Sequence, residues 1–359
     1  MPSSVRDLWA LFGNDLEAAQ QSILEALKKQ QSHLHLLHLA ISCGLHDTIQ
    51  SIADSDDLSM GDRATLNYRL QLLQGNERTA FRAIIHDQLA KYTSNAIDQS
   101  LKNGMPLNIK MLGGIGDHLE ALSIMNGWCI EHGMTINLHI QKSRIRQLKR
   151  LTKRLPWIAS LTPYGDQEIF ALFSSLRRFI YETNTNHMPQ SLSTRLEKQK
   201  FDALCCWRAV GGVGEKFSIH SRSVPFQHAY TFYQAIFKQK PNATITDITQ
   251  WKPWEKNKLL QLGIHLHDPA HGDVNDLAAI AASHHQIISI DTALAHLCAV
   301  NNIKANLLLT LFPDERWNFL LKEGSCYANN LTIFQQESFG NWSSTMERLS
   351  QAIHKNLPR

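Results

Sequence analysis

The stretch MLGGIGDHLEAL, residues 111–122, decides how this chain is read. It overlaps the end of a short apolar run, LNIKML at 107–112, and passes into a helical pattern. Gly113, Gly114 and Gly116 allow a sharp turn in which backbone amides can face an incoming group. Such a turn can be a nucleotide cradle, a plain strand-to-helix corner, or the seat of a catalytic carboxylate. The dinucleotide fingerprint fails, because counting from Gly114 and Gly116 its third glycine position holds Leu119. The phosphate loop G-x-x-x-x-G-K-[ST] is also absent. Asp117 stands out instead, at the helix start and beyond the C-terminal end of a strand, where parallel sheets place ligands. It can cap the helix, or it can serve as a general base for an acceptor hydroxyl.

Outward from this turn, short apolar runs alternate with helical stretches. LNIKML is followed by a helix over 117–132, the strand TINLHI at 135–140, and helices over 143–154 and 167–181. That alternation predicts parallel β-α units. The polar stretch at 183–200 has no strong period and reads as a linker. A second alternating set opens with FDALCCW at 201–207. It continues through a helix at 224–238, a strand at 243–248, a helix at 273–283, the strand QIISI at 286–290, and the helix TALAHLCAV at 292–300. NIKANLLLTLF at 302–312 supplies another strand, and NWSSTMERLSQAIHK at 341–355 a terminal helix.

Ahead of both sets the first hundred residues read as helices alone. Leu16, Ala19, Ile23, Ala26 and Leu27 share one helical face, as do Leu66, Leu70 and Leu73. The segments LFGNDLEA at 11–18 and LQGNERTA at 73–80 echo each other as L-x-G-N-acid-x-x-A, resembling the turn of tetratricopeptide hairpins. The expected fold class is α/β, a pair of Rossmann-type domains preceded by an all-α, helical-repeat-like domain. The expected divisions are 1–100 helical, 106–185 the first β-α domain, 186–200 the linker, 201–335 the second β-α domain, and 339–356 the terminal helix.

A length of 359 residues accommodates two or three domains. Apolar content of 43% and charged content of 19% are ordinary for a globular chain. A net charge of +4 suits an anionic small ligand and is too weak to argue for nucleic acid. Cys43, Cys129, Cys205, Cys206, Cys298 and Cys326 lack C-x-x-C spacing, which reads as reduced and intracellular. With no signal-peptide pattern and no apolar run of about 18 residues, a cytoplasmic protein without a transmembrane segment is expected.

The second local signal is SIDTALAHL at 289–297. A strand ends at Ile290 and a helix begins at Asp291-Thr292, so the amides of Thr292, Ala293 and Leu294 form a site for phosphate oxygens, with His296 one turn along. A capped helix with a core histidine is the plainer alternative. Upstream, the loop within 204–226 carries Arg208, Lys216 and Arg222, cations able to neutralise a diphosphate, although each also suits a solvated surface. Gln250 follows a strand and is a candidate for nucleobase contact. Trp251 and Trp254 can stack on a base or sugar, or simply pack. His35 and His38 lack a third ligand at zinc spacing, and His284 and His285 read as loop residues.

Taken in order, GGIGDHLEAL and SIDTALAHLCAV resemble the opening and donor-phosphate motifs of the heptosyltransferase family of GT-B glycosyltransferases. LCCWR, SRSVPF and FPDERWNFL resemble its tetratricopeptide-fused branch, and the likeness spans roughly 106–352. The resemblance implies an inverting, metal-independent sugar transfer from a nucleotide-diphosphate sugar, used as co-substrate with no cofactor. The acceptor would be a glycan, a lipid-linked glycan or a protein, and the helical front could add a protein partner. Asp117 would be the base, with Gly113, Gly114, Gly116 and His118 forming the acceptor-side loop. Arg222 or Lys216 would meet the phosphates, Asp291 the sugar, and Thr292, Ala293 and His296 the diphosphate. Asp314, Arg316 and Trp317 would shape the cleft. Two other readings stay open: an inactive helical-repeat binding module and a nucleotide-sugar epimerase.

Overall fold

The first strand of the chain is short because Gly113 and Gly114 end it almost at once. The computed structural model describes residues 16–28, 37, 40, 41, 43–54, 60–74, 76, 87–164, 171, 172, 180, 188–192, 200–209, 222–268 and 272–356. Before that strand the described residues form the helices α1 (Leu16–Lys28), α2 (His46–Ala53), α3 (Met60–Leu73) and α4 (Asp87–Asn103). Ala19 and Ile23 of α1, Ile49 and Ala53 of α2, and Leu66 and Leu70 of α3 are buried at spacings of four, and they share one core with Leu37, Ala40, Ile41 and Cys43. The Gly-Asn echo at 11–18 and 73–80, like His35, His38 and most of the linker, falls largely outside the described residues.

The first lobe holds β1 (Leu107–Lys110), α5 (Ile115–Glu131), β2 (Ile136–Ile140), α6 (Lys142–Thr152), β3 (Ile158–Pro163) and β4 (Ala171–Leu172). Its strands are parallel in the order β3-β2-β1-β4. Ala171–Leu172 pairs with β1 inside a stretch read as helical from the sequence, so that expectation is corrected: a short apolar run bears no period that separates strand from helix.

The second lobe holds β5 (Phe201–Cys206), α7 (Phe226–Gln239), β6 (Ile245–Asp247), α8 (Pro253–Gln261), β7 (His265–Leu266), α9 (Val274–Ala282), β8 (His284–Ile290), α10 (Ala293–Val300), β9 (Ala305–Leu309), α11 (Arg316–Leu320), α12 (Cys326–Asn330), β10 (Leu331–Gln335) and α13 (Ser343–Asn356). All of its strands are parallel, in the order β10-β9-β8-β5-β6-β7. Strand β5 is apolar at all but Asp202, and β8 ends in the fully buried run Ile287–Ile290, because parallel central strands are covered on both faces. His284 and His285 open β8 and are not loop residues. His284 is buried, with Nδ1 against the Ile280 carbonyl at 2.7 Å and Nε2 against Thr246 Oγ1 at 2.9 Å.

Both sheets reverse strand order beside their first strand, between β1 and β4 and between β5 and β8. Connections leave such neighbours in opposite directions, and the crevice opened at their C-terminal ends is where α/β sheets bind ligands. The two lobes meet through α5 and α10. Helix α5 is buried on nearly every side from His118 to Cys129, because it lies between its own sheet and the second lobe. One apolar core runs through this seam, joining Leu119 and Leu122 to Leu294, Ala295 and Leu297. The result is an all-helical region followed by two Rossmann-like lobes, the GT-B-like class expected from the sequence. No described helix is long and apolar enough to cross a membrane.

Candidate active site

At the end of β1 the chain passes through Gly113 with φ of +104°, a conformation that side chains rarely adopt. A Cβ there would also lie 2.6 Å from Asp117 Oδ2, so glycine is required twice over. Asp117 is the third residue of α5. Its Oδ2 accepts the Gly114 amide at 2.6 Å, so the helix-capping reading is correct as far as it goes. Its Oδ1 accepts from Arg316 Nη1 at 2.5 Å. The carboxylate is still 43% exposed, which leaves it open to a ligand.

Glu120, one turn further along α5, also meets Arg316 Nη1, at 3.4 Å, and its side chain is only 4% exposed. His118 points inward: it is fully buried, with Nδ1 2.6 Å from the Gly114 carbonyl, so it braces the turn from behind.

Across the seam, β8 ends at Ile290, and Asp291 and Thr292 lead into α10. Thr292 is the N-cap, but its hydroxyl is turned to Ser289 Oγ at 3.0 Å and Cys206 Sγ at 3.8 Å, and no side chain caps the helix. The leading amides and the positive end of the helix dipole are thereby left to an anion. Asp291 lies 3.8 Å from Arg222 and 3.9 Å from His296 Nε2. His296 is clamped, with Nδ1 2.9 Å from Tyr327 Oη and its ring stacked on Trp317 at 5.1 Å. A Cβ on Gly116 would come within 2.8 Å of His296 Cδ2. The two glycine and helix-start motifs are therefore in direct contact, although 180 residues separate Gly116 from His296 in the sequence.

Arg316 organises the charges. Besides Asp117 and Glu120 it meets Asp314 at 3.3 Å and feels the field of Asp291. Burial alone would raise the Asp117 carboxyl, but Arg316 and the Gly114 amide outweigh it and hold the group below its ordinary range. Asp314 is likewise held low against burial, by Arg316 and Arg69. Burial, with Arg316 nearby, lowers His296 and keeps the imidazole neutral.

The sequence candidates divide. Asp117, Gly113, Gly114, Gly116, Arg222, Asp291, Thr292, Ala293, His296, Asp314, Arg316 and Trp317 gather around this seam. Arg208 does not turn toward it: its guanidinium makes two 2.8 Å bonds to Glu255 and lies 4.2 Å over the Trp251 ring. Trp251 is core, donating to the buried Asp247 at 2.8 Å, whereas Trp254 is half exposed against Phe226. Gln250 is exposed just beyond the C-terminal end of β6. Lys216 lies outside the described residues. Sequence reasoning missed Glu120, Glu315, Arg69 and Tyr327. Only Glu120 carried a local signal, its spacing of three from Asp117.

Two Rossmann-like lobes that meet at one seam make the GT-B-like fold class, with the Asp117 carboxylate on one side of the seam and the uncapped start of α10 on the other. The structure is similar to that of the E. coli ADP-heptose LPS heptosyltransferase II, with 9% identity and a TM-score of 0.48 over 70% of this chain and 98% of that one. It is also similar to the E. coli heptosyltransferase WaaC with ADP, with 10% identity and a TM-score of 0.44 over 70% and 98%. The dodecameric glycosyltransferase TibC of enterotoxigenic E. coli is similar at 12% identity and a TM-score of 0.44, over 67% of this chain and 65% of that one. No family model and no curated protein matches the chain.

Proposed function

We propose that this chain is a glycosyltransferase that moves a sugar from a nucleotide-diphosphate sugar to an acceptor hydroxyl, with inversion. The observation that supports it best is the contact between the Gly116–Asp117 turn and the Asp291–His296 segment, which sets an open carboxylate beside an anion-ready helix start. The acceptor oxygen attacks the anomeric carbon as Asp117 takes its proton. The bond from that carbon to the β-phosphate oxygen breaks, and its electron pair leaves with the diphosphate. Arg222 and the Thr292 and Ala293 amides meet the charge that grows there, and they are in place before it does.

Arg316 keeps Asp117 ionised at neutral pH, the state a base must hold. The same pairing makes it a weak base. Proton transfer then runs late, when bond formation to carbon has already made the hydroxyl acidic.

The test is binding and turnover in parallel. A panel of nucleoside diphosphates and their sugars is screened by thermal shift, and the stabilising sugar is then assayed with Asp117→Asn. Nucleotide binding is expected to persist while turnover falls by about 10²–10⁴-fold. Equal turnover by the variant removes Asp117 as base. Stabilisation by no nucleotide favours a binding module, and sugar interconversion without acceptor favours an epimerase.

A further inference from the structure

Resting on that reading, we propose that the helical front region is part of the transfer site. Arg69 of α3 is a positioning residue that grips Glu315 and so keeps Arg316 seated on Asp117.

The grip is two-pronged: Arg69 Nε lies 2.5 Å from Glu315 Oε1 and Nη2 lies 2.9 Å from Oε2. Both groups are largely withdrawn from water, at 15% and 6% exposure, so the pair is screened little by salt. A bidentate guanidinium–carboxylate pair fixes direction as well as distance. Glu315 and Arg316 are chain neighbours that reach opposite ways, one to α3 and the other to α5. Any displacement of the first therefore moves the second.

A further anchor holds the same segment from the same side. Gly44, with φ of +76°, lies so close under Phe312 that a Cβ there would come within 2.8 Å of its ring, and His46 meets that ring edge-on. The segment from Phe312 to Arg316 is thus held by the front helices on one side and holds the catalytic carboxylate on the other. The two lobes alone would leave it without these anchors.

Removing Arg69 has a defined electrostatic effect. Glu315 loses its cation and competes with Asp117 for Arg316. Among the described residues, the charged and titratable groups facing Asp117 include Arg316, His296 and His118, and those facing Arg316 include Glu120, Asp291 and Asp314. Arg222 and Arg69 act on Asp314. Asp314 also loses the cation of Arg69, so the groups that draw harder on Arg316 are Glu315, which loses its direct partner, and to a lesser degree Asp314.

The experiment follows the Asp117 carboxyl by carbon NMR in full-length protein labelled at aspartate, assigned with Asp117→Asn, and needs no substrate. In Arg69→Ala its titration midpoint is expected to rise by about one pH unit, a tenfold change in proton affinity. Arg69→Lys, which keeps the charge, is expected to stay nearer the wild type. The double variant Arg69→Ala/Glu315→Gln, which removes the main competitor, is expected to bring the midpoint back toward the wild type. Because Glu315→Gln also relieves a carboxylate left buried without its cation, urea unfolding of each variant is read beside the titration, and a midpoint shift in protein that is still fully folded separates positioning from plain destabilisation. An unmoved midpoint in Arg69→Ala, or no recovery in the double variant, overturns the proposal. Stabilisation by no nucleotide would overturn the transferase reading alone, because the titration is read without a donor.

Discussion

Arg316→Met tests the charge organisation of the site by removing the cation while retaining much of the side-chain volume. Deleting one partner of a buried ion pair costs about 3–5 kcal/mol, because the other charge stays buried without compensation. Here the carboxylates differ. Asp117 is 43% exposed, and water screens its loss to about 0–1 kcal/mol. Glu120, at 4% exposure, carries most of the penalty, and because it has contacts beyond Arg316 the total falls at the lower end, about 3 kcal/mol.

The pH dependence has a definite sign. Asp117 and Asp314 sit below their ordinary range in the folded chain, so the stability they give is complete above about pH 4 and is lost as pH falls through their depressed values. Methionine abolishes that contribution, so the deficit of the variant is largest near neutrality and narrows on acidification. Urea titrations followed by tryptophan fluorescence at neutral and acid pH measure both. A neutral-pH deficit below about 1 kcal/mol, or one that widens toward acid, refutes the assignment of Arg316 as the counter-charge of these carboxylates.

Two further outcomes test the packing. Gly116→Ala drives a Cβ into the His296 ring, which Trp317 and Tyr327 hold in place, so a loss of about 1–3 kcal/mol is expected in thermal or urea unfolding. A variant as stable as wild type would show that the two lobes do not press together there. All six cysteines are buried, and burial pushes thiols such as Cys206 and Cys326 up to about 12. Native protein is expected to leave a thiol-specific reagent unreacted and denatured protein to titrate all six, whereas one fast equivalent in the native state contradicts the burial.

The parts of the site readable from sequence are those built by local chemistry. A glycine turn after an apolar run, and Asp-Thr before an apolar helix, declare a strand end and a helix start wherever they occur. That is why Gly113, Asp117, Asp291 and Thr292 were legible. The all-parallel lobes were legible for a similar reason, since alternating strand and helix patterns admit few other arrangements.

The ion pairs were not legible. Arg69 and Glu315 are 246 residues apart, and Asp117 and Arg316 199, and nothing in the residues around either end names the partner. Arg208 shows the opposite case. It looked suited to phosphate in sequence, yet Glu255, at the first turn of α8, takes both prongs of its guanidinium. His284 misled because a histidine beside a histidine suggests solvent, whereas the strand start uses its two ring nitrogens to satisfy Ile280 and Thr246.

The wide spacing of Arg69 and Glu315 has a consequence for biosynthesis. Translation runs from the amino terminus, so α3 emerges and can settle long before its carboxylate partner exists. The central strand β5 also waits some eighty residues for β8 before the sheet can close on that side. The charge cluster at the seam is consequently among the last features to form, and a nascent chain halted before residue 316 would display most of the architecture with no Arg316 on the Asp117 carboxylate.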